Sequence, residues 1–148
     1  MDIDALHIVL AEDDEDDRAF FQEAIDEVKI KTKVDTVNDG QQLMEYLGRT
    51  NGHLPDVIFL DLNMPRKSGI ECLEEIRANK NLKDISIVIY STSTAEEDIE
   101  QTFLKGANIY IRKPNDFKKL KEAIAQVLNI NWQYHTSRLN RDNFILVV

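Results

Sequence analysis

Four separated points in the chain carry side chains able to do chemistry, and each follows a short apolar run. Glu12 and Asp13 follow the run at 6–10, and Asp61 lies in the run 57–62. Ser91 and Thr92 follow 85–90, and Lys113-Pro114 follows 109–111. Three carboxylates without a histidine or cysteine among them suit a hard, oxygen-seeking cation, Mg2+ above all. A lysine beside them is a compact charge suited to a phosphate. Taken together, these residue types describe a Mg2+-dependent phosphoryl site with a carboxylate nucleophile.

The elements that must position these residues are legible as alternating periods. Apolar runs of strand type recur at 6–10, 33–37, 57–62, 85–90 and 109–111. Between them lie stripes at helical spacing: Phe21, Ala24, Ile25 and Val28; Leu43, Met44 and Leu47; Ile70, Leu73 and Ile76; Ile99, Phe103 and Leu104; then Leu120, Ile124, Val127 and Leu128. Five strand–helix alternations predict an α/β fold, a parallel sheet with helices on both faces. In such a sheet ligands bind beyond the carboxyl ends of the strands, which is where the four points fall. Punctuation agrees. Asp39-Gly40 opens the second helix, Ser68–Glu71 and Thr94–Glu97 both have the capping-box form, and Gly106 stands where the fourth helix should end.

Composition bounds the function. At 148 residues, 43% hydrophobic and 30% charged, the chain suits one globular domain. A net charge of −9 argues against nucleic acid, whose phosphates it would repel. No apolar run approaches the ~20 residues of a membrane span. The single cysteine, Cys72, lies on the third helix's apolar stripe and suits the core and a reducing cytoplasm. His7, His53 and His135 are scattered and are not expected to be ligands. The acidic run 12–17 is not an EF-hand, because counting from Asp13 the sixth position is Arg18 and not glycine.

The ordered set AEDD, FLDLNMPRKSG, VIYSTS and YIRKP resembles the receiver domains of two-component response regulators, from about His7 to Leu128. The resemblance implies a flavodoxin-like, doubly wound domain, with five parallel strands in the order 2-1-3-4-5 and five helices, spanning 1–130. Residues 131–148 are then a C-terminal extension.

The resemblance also implies roles. Asp61 is the phosphorylated residue. Asp13 and Asp61 are metal ligands, with the main-chain carbonyl of Asn63 completing the protein set and Glu12 acting through water. Lys113 pairs with Asp61 before transfer and with the phosphate after it, and the lysine–proline bond is often cis in the family. Ser91 is the hydroxyl that bonds the phosphate, and Tyr110 is the switch aromatic that fills the space Ser91 vacates. The other four acids begin the first helix, Asp14 as N-cap and Glu15, Asp16 and Asp17 near the positive end of the helix dipole.

Among receivers, EDDEDDR, LDLNMPRKSG and TSTAEED look most like small stand-alone regulators that partner phytochrome-type and other hybrid sensor kinases. The implied protein is cytoplasmic, catalyses only its own phosphorylation and dephosphorylation, and takes its phosphoryl group from a histidine kinase or phosphotransfer protein. It signals by contact with a downstream protein. A Mg2+-dependent aspartyl-phosphate hydrolase is the alternative, though such enzymes carry a second aspartate where this chain has Asn63. A phosphate-independent scaffold is a further one. The tail, with Trp132, Tyr134, Leu139 and the apolar run 144–148, is expected to be an extended segment on an edge or groove. It docks either on its own domain or on a second copy, making a homodimer.

Overall fold

A computed structural model of the chain describes residues 5–49, 53–129 and 145–146. In chain order the elements are β1 (Leu6–Ala11), α1 (Glu15–Asp26), β2 (Thr32–Val37), α2 (Gly40–Gly48), β3 (Val57–Leu60), α3 (Gly69–Ala78), β4 (Ser86–Ser91), α4 (Glu96–Leu104), β5 (Ile109–Arg112), α5 (Phe117–Leu128) and β6 (Ile145–Leu146). The strands pair in parallel in the order β2-β1-β3-β4-β5-β6. The first five strands therefore take the expected order 2-1-3-4-5.

Side-chain alternation divides the core into two layers. Ile8, Leu10, Val57, Phe59, Val88 and Tyr90 face α1 and α5, where Phe21 stacks edge-on against Phe59 and Tyr90. Val9, Ala11, Ile58, Leu60, Ile87 and Ile89 face α2, α3 and α4. Every residue of β3 and β4 is buried, which explains their unbroken apolar runs. Cys72 lies in the second layer, where burial pushes its thiol up to about 12.

Local signals set most boundaries. Asp39 caps α2 by accepting from Gln42 N, and Ser68 and Glu71 form a full capping box on α3. Gly106, at φ 98°, follows the end of α4 in the left-handed conformation that glycine adopts without penalty. Two expectations are corrected. The Thr94–Glu97 box does not form: the N-cap is Ala95, without a side-chain bond. Ser93 Oγ instead accepts from Ala95 N (3.2 Å) and donates to Asp98 Oδ2 (2.6 Å), so α4 begins at Glu96. Leu104 is 65% exposed and not on the buried stripe, because the last turn of α4 turns it outward.

The tail is described only at Ile145–Leu146, which pair with β5 of the same chain, Ile145 opposite Tyr110 and Leu146 opposite Ile111. These two residues are extended and lie on the sheet edge in cis. Trp132, Tyr134, His135, Leu139 and Phe144, and the 130/131 boundary, lie outside the described residues.

Candidate functional site

The site gathers where β1, β3, β4 and β5 end. Asp61 is the first residue after β3, and its N–H bonds Ala11 O (3.1 Å), so the carboxylate emerges beside β1. Glu12 N bonds Val37 O in the same way (3.0 Å), at the crevice between β1 and β2. Glu12 is wholly buried and Asp61 is 5% exposed, whereas Asp13 faces solvent. One carboxylate oxygen from each of the three lies within 4.8 Å of the others.

Gly69 makes room for this arrangement. A Cβ there would lie 2.2 Å from Asp61 O and 2.8 Å from Leu62 Cα, so only glycine lets the α3 start press against the Asp61 backbone. The intervening turn is tight. Arg66 takes φ 69°, uncommon outside glycine, Lys67 N bonds Pro65 O (2.7 Å), and Gly69 N bonds Leu62 O (3.0 Å). Asn63 donates its N–H toward Asp61 Oδ1 at 3.4 Å, a long contact.

Lys113 reaches into the cluster from the end of β5. Its ammonium lies 2.5 Å from Glu12 Oε1, 3.0 Å from Asp17 Oδ2 and 3.4 Å from Asp61 Oδ2. The Tyr90 ring centroid is 5.3 Å away, within cation–π range. Burial alone would discharge the lysine, but Glu12, Asp61 and Asp17 outweigh it and hold its pKa above the ordinary lysine value. Glu12 moves the other way: burial, only partly offset by Lys113 and reinforced by Asp61, raises its carboxyl to about 8. The Lys113–Pro114 bond is trans, as is every peptide bond among the described residues, so the cis expectation is corrected to the isomer that dominates X–Pro bonds in folded chains.

Ser91 ends β4 wholly buried, and its Oγ accepts from Ser93 N (3.1 Å), while neighbouring Thr92 is exposed. Tyr110 is 1% exposed, already turned inward toward α4, with its hydroxyl donated to Ser93 O (3.0 Å) and in contact with the Ser91 side chain. The histidines stand apart from the site. His7 Nε2 contacts Asp35 Oδ2 (3.1 Å) and Tyr46 Oη (2.9 Å), and His53 is exposed.

Three participants were not read from the sequence: Asp17 and Tyr90 against Lys113, and Arg18, whose Nη1 bonds Glu12 O (2.8 Å).

The donor set fits a hard cation, being all oxygen. It also contains an unsatisfied buried atom, since Glu12 Oε1 meets Lys113 as an ion pair but accepts no well-directed hydrogen bond.

A doubly wound sheet with acids and a lysine at its carboxyl edge is the architecture of receiver domains. The response regulator receiver domain family model matches residues 8–125, and the chain belongs to that family. It is 34% identical over 117 residues to the response regulator Rcp1 of Synechocystis sp., covering 76% of this chain and 80% of that protein. It is 28% identical over 127 residues to the probable methanogenesis regulatory protein FilR2 of Methanothrix harundinacea, covering 84% and 82%. Its fold matches the phosphorylated cyanobacterial phytochrome response regulator RcpA with a TM-score of 0.79 and 35% identity, over 88% of this chain and 95% of that one. The Mn2+-bound form of Rcp1 gives a TM-score of 0.75 and 29% identity, over 90% and 96%. No helix among the described residues is long and apolar enough to cross a membrane.

Proposed function

We propose that the chain is a stand-alone response regulator that accepts a phosphoryl group on Asp61 from a sensor histidine kinase or phosphotransfer protein. The observation that carries this reading is the company of Asp61: a nearly buried carboxylate with Lys113 Nζ at 3.4 Å and the acids Glu12 and Asp13 beside it. The phytochrome regulator in the name of RcpA supports a kinase of the phytochrome type as donor.

In the transfer, an Asp61 carboxylate oxygen attacks phosphorus. The new P–O bond forms as the P–N bond to the donor imidazole breaks, and the nitrogen leaves with the bonding electrons. Asp13, Asp61 and the Asn63 main-chain carbonyl would hold Mg2+ directly, and Glu12 through water. Bound there, the ion supplies positive charge against the carboxylates and the phosphoryl oxygens. Lys113 pairs with the transferred group, and the Ser91 hydroxyl donates to another of its oxygens. Ser91 then gives up Ser93 N and its contact with Tyr110, whose hydroxyl is left with the bond to Ser93 O described above.

Output is read at the edge where Tyr110 meets β6. A homodimer would use the same edge, since exchanging the Ile145–Leu146 strand between copies keeps its pairing with β5 while linking two chains.

Incubation with Mg2+ and acetyl phosphate tests the reading. Intact mass should show one phosphoryl adduct that hydroxylamine removes and that chelation of the metal prevents. An unmodified chain under conditions that label another receiver would overturn it.

A further inference from the structure

One acid in the first turn of α1 is not occupied with starting the helix. Asp14 caps α1 by accepting from Asp17 N (3.0 Å). In a capping box the third helical residue would return a bond to the N-cap N–H, and Asp17 holds that position. Here the Asp14 N–H is directed to Glu12 Oε2 instead (3.2 Å). The Asp17 carboxylate reaches across to β5 and lies 3.0 Å from Lys113 Nζ. Of the three carboxylates sharing this ammonium, Asp61 is the most distant. The resting lysine is thus drawn toward α1, away from the oxygen that would carry the phosphoryl group.

We propose that Asp17 is a positioning residue that holds Lys113 back in the resting state, so that phosphorylation requires the lysine to exchange Asp17 for a phosphoryl oxygen. This rests on the reading of Asp61 as the acceptor. Solvent access makes Asp17 the partner able to let go. Its side chain is 40% exposed and returns to water when Lys113 leaves, whereas Glu12 is wholly buried and cannot be left unpaired at low cost. Lysine suits the exchange, being a point charge on a flexible four-carbon stem that swings between acceptors without bidentate geometry. Asp17 therefore biases the equilibrium toward the unphosphorylated form. A partly exposed pair of this kind sets the bias at about two- to fivefold.

Beryllofluoride, an analogue of the phosphoryl group, gives an equilibrium readout. Its affinity for the full chain with saturating Mg2+ is measured by titration calorimetry for wild type, Asp17→Asn, Asp17→Glu and Asp16→Asn. Asp16→Asn makes the same charge change on an exposed neighbour of the same turn. Asp17→Asn should bind the anion about two- to fivefold more tightly. Asp16→Asn should match wild type, and Asp17→Glu should return most of the way to it. Equal tightening in Asp17→Asn and Asp16→Asn would reduce the effect to net charge and overturn the proposal. A lowered melting temperature with unchanged anion affinity would leave Asp17 only structural and overturn it too. If wild type binds beryllofluoride but Asp17→Asn behaves like wild type, only the Asp17 assignment fails. If wild type binds none and takes no phosphoryl group from acetyl phosphate, the reading of Asp61 fails and the proposal with it.

Discussion

The backbone N–H of Lys113 donates to the carbonyl of Ser91 at 2.8 Å. This bond carries the β4–β5 ladder one step beyond the Ser91–Arg112 pair and fixes the spacing of hydroxyl and ammonium on one side of Asp61. Because the main chain makes this link, Ser91→Ala should keep the fold and lose only the hydroxyl. Leaving Ser93 N–H without its acceptor should cost about 0.5–1.5 kcal/mol in urea unfolding, while labelling by acetyl phosphate slows severalfold. Unchanged labelling kinetics would remove Ser91 from the transfer.

The acidic run offers a contrast between neighbours. Asp13→Ala should weaken Mg2+ binding by at least tenfold, because it removes one oxygen of the three-acid cluster. Asp16→Ala, exposed on α1, should change it little. Fluorescence or calorimetric titration reads both, and equal losses would mean the run is wrongly divided between metal and helix.

Gly69→Ala tests the close approach at Asp61. The new Cβ would meet backbone atoms at 2.2 and 2.8 Å, which cannot rotate away as a side chain could. Overpacking of this type costs about 1–3 kcal/mol, and relief requires the Asp61 backbone to move. Thermal melts should fall and labelling should slow together. Loss of one without the other would separate the glycine from the site.

Much of this was legible beforehand. Buried strands read as unbroken apolar runs because both faces are covered, so β3 and β4, with Asp61 and Ser91 at their ends, could be placed from sequence. Asp17 could not. Its partner is set by how the first turn of α1 lies across the end of β5, a tertiary fact that a run of like acids conceals. The α4 start was misplaced for a local reason, since Ser93 Oγ, and not Thr94, ties the segment to the helix by accepting from Ala95 N and donating to Asp98 Oδ2. The tail's apolar residues announced burial but not on which copy, and that choice lies in the β5 edge.

Away from the site, Asp35 predicts an acid limb of stability. Burial alone would raise its carboxyl, but hydrogen bonds with Tyr46 (2.7 Å) and His7 (3.1 Å) outweigh it and hold the pKa below the ordinary aspartate value. A depressed carboxylate adds stability above its unfolded pKa. That stability is lost as pH falls from the ordinary value of 3.8 through the folded one. Asp35→Asn should therefore be less stable than wild type at neutral pH and converge on it in acid. Urea melts across this range check the sign, and a gap that widens on acidification would contradict it.

Tail docking predicts a stability difference and bears on the assembly state. A chain ending at Asn131 loses β6 and should melt at a lower temperature, since the edge of β5 beside Tyr110 and Ile111 is uncovered. Light scattering on both chains then separates a strap in cis, which leaves both monomeric, from exchange of the strand between copies, which makes only the full chain a dimer. Two monomers with identical melting temperatures would show that the segment neither assembles nor stabilises.

The central claim is that Asp61 is the phosphoryl acceptor, and Asp61→Asn tests it most directly. The carboxamide fills the same space but is a poor nucleophile. Replacing a nearly buried acid beside wholly buried Glu12 also removes like-charge repulsion, so the fold should persist. With Mg2+ and acetyl phosphate, intact mass spectrometry should show a phosphoryl adduct on wild type and none on a folded Asp61→Asn chain. A full adduct on Asp61→Asn would contradict the assignment outright.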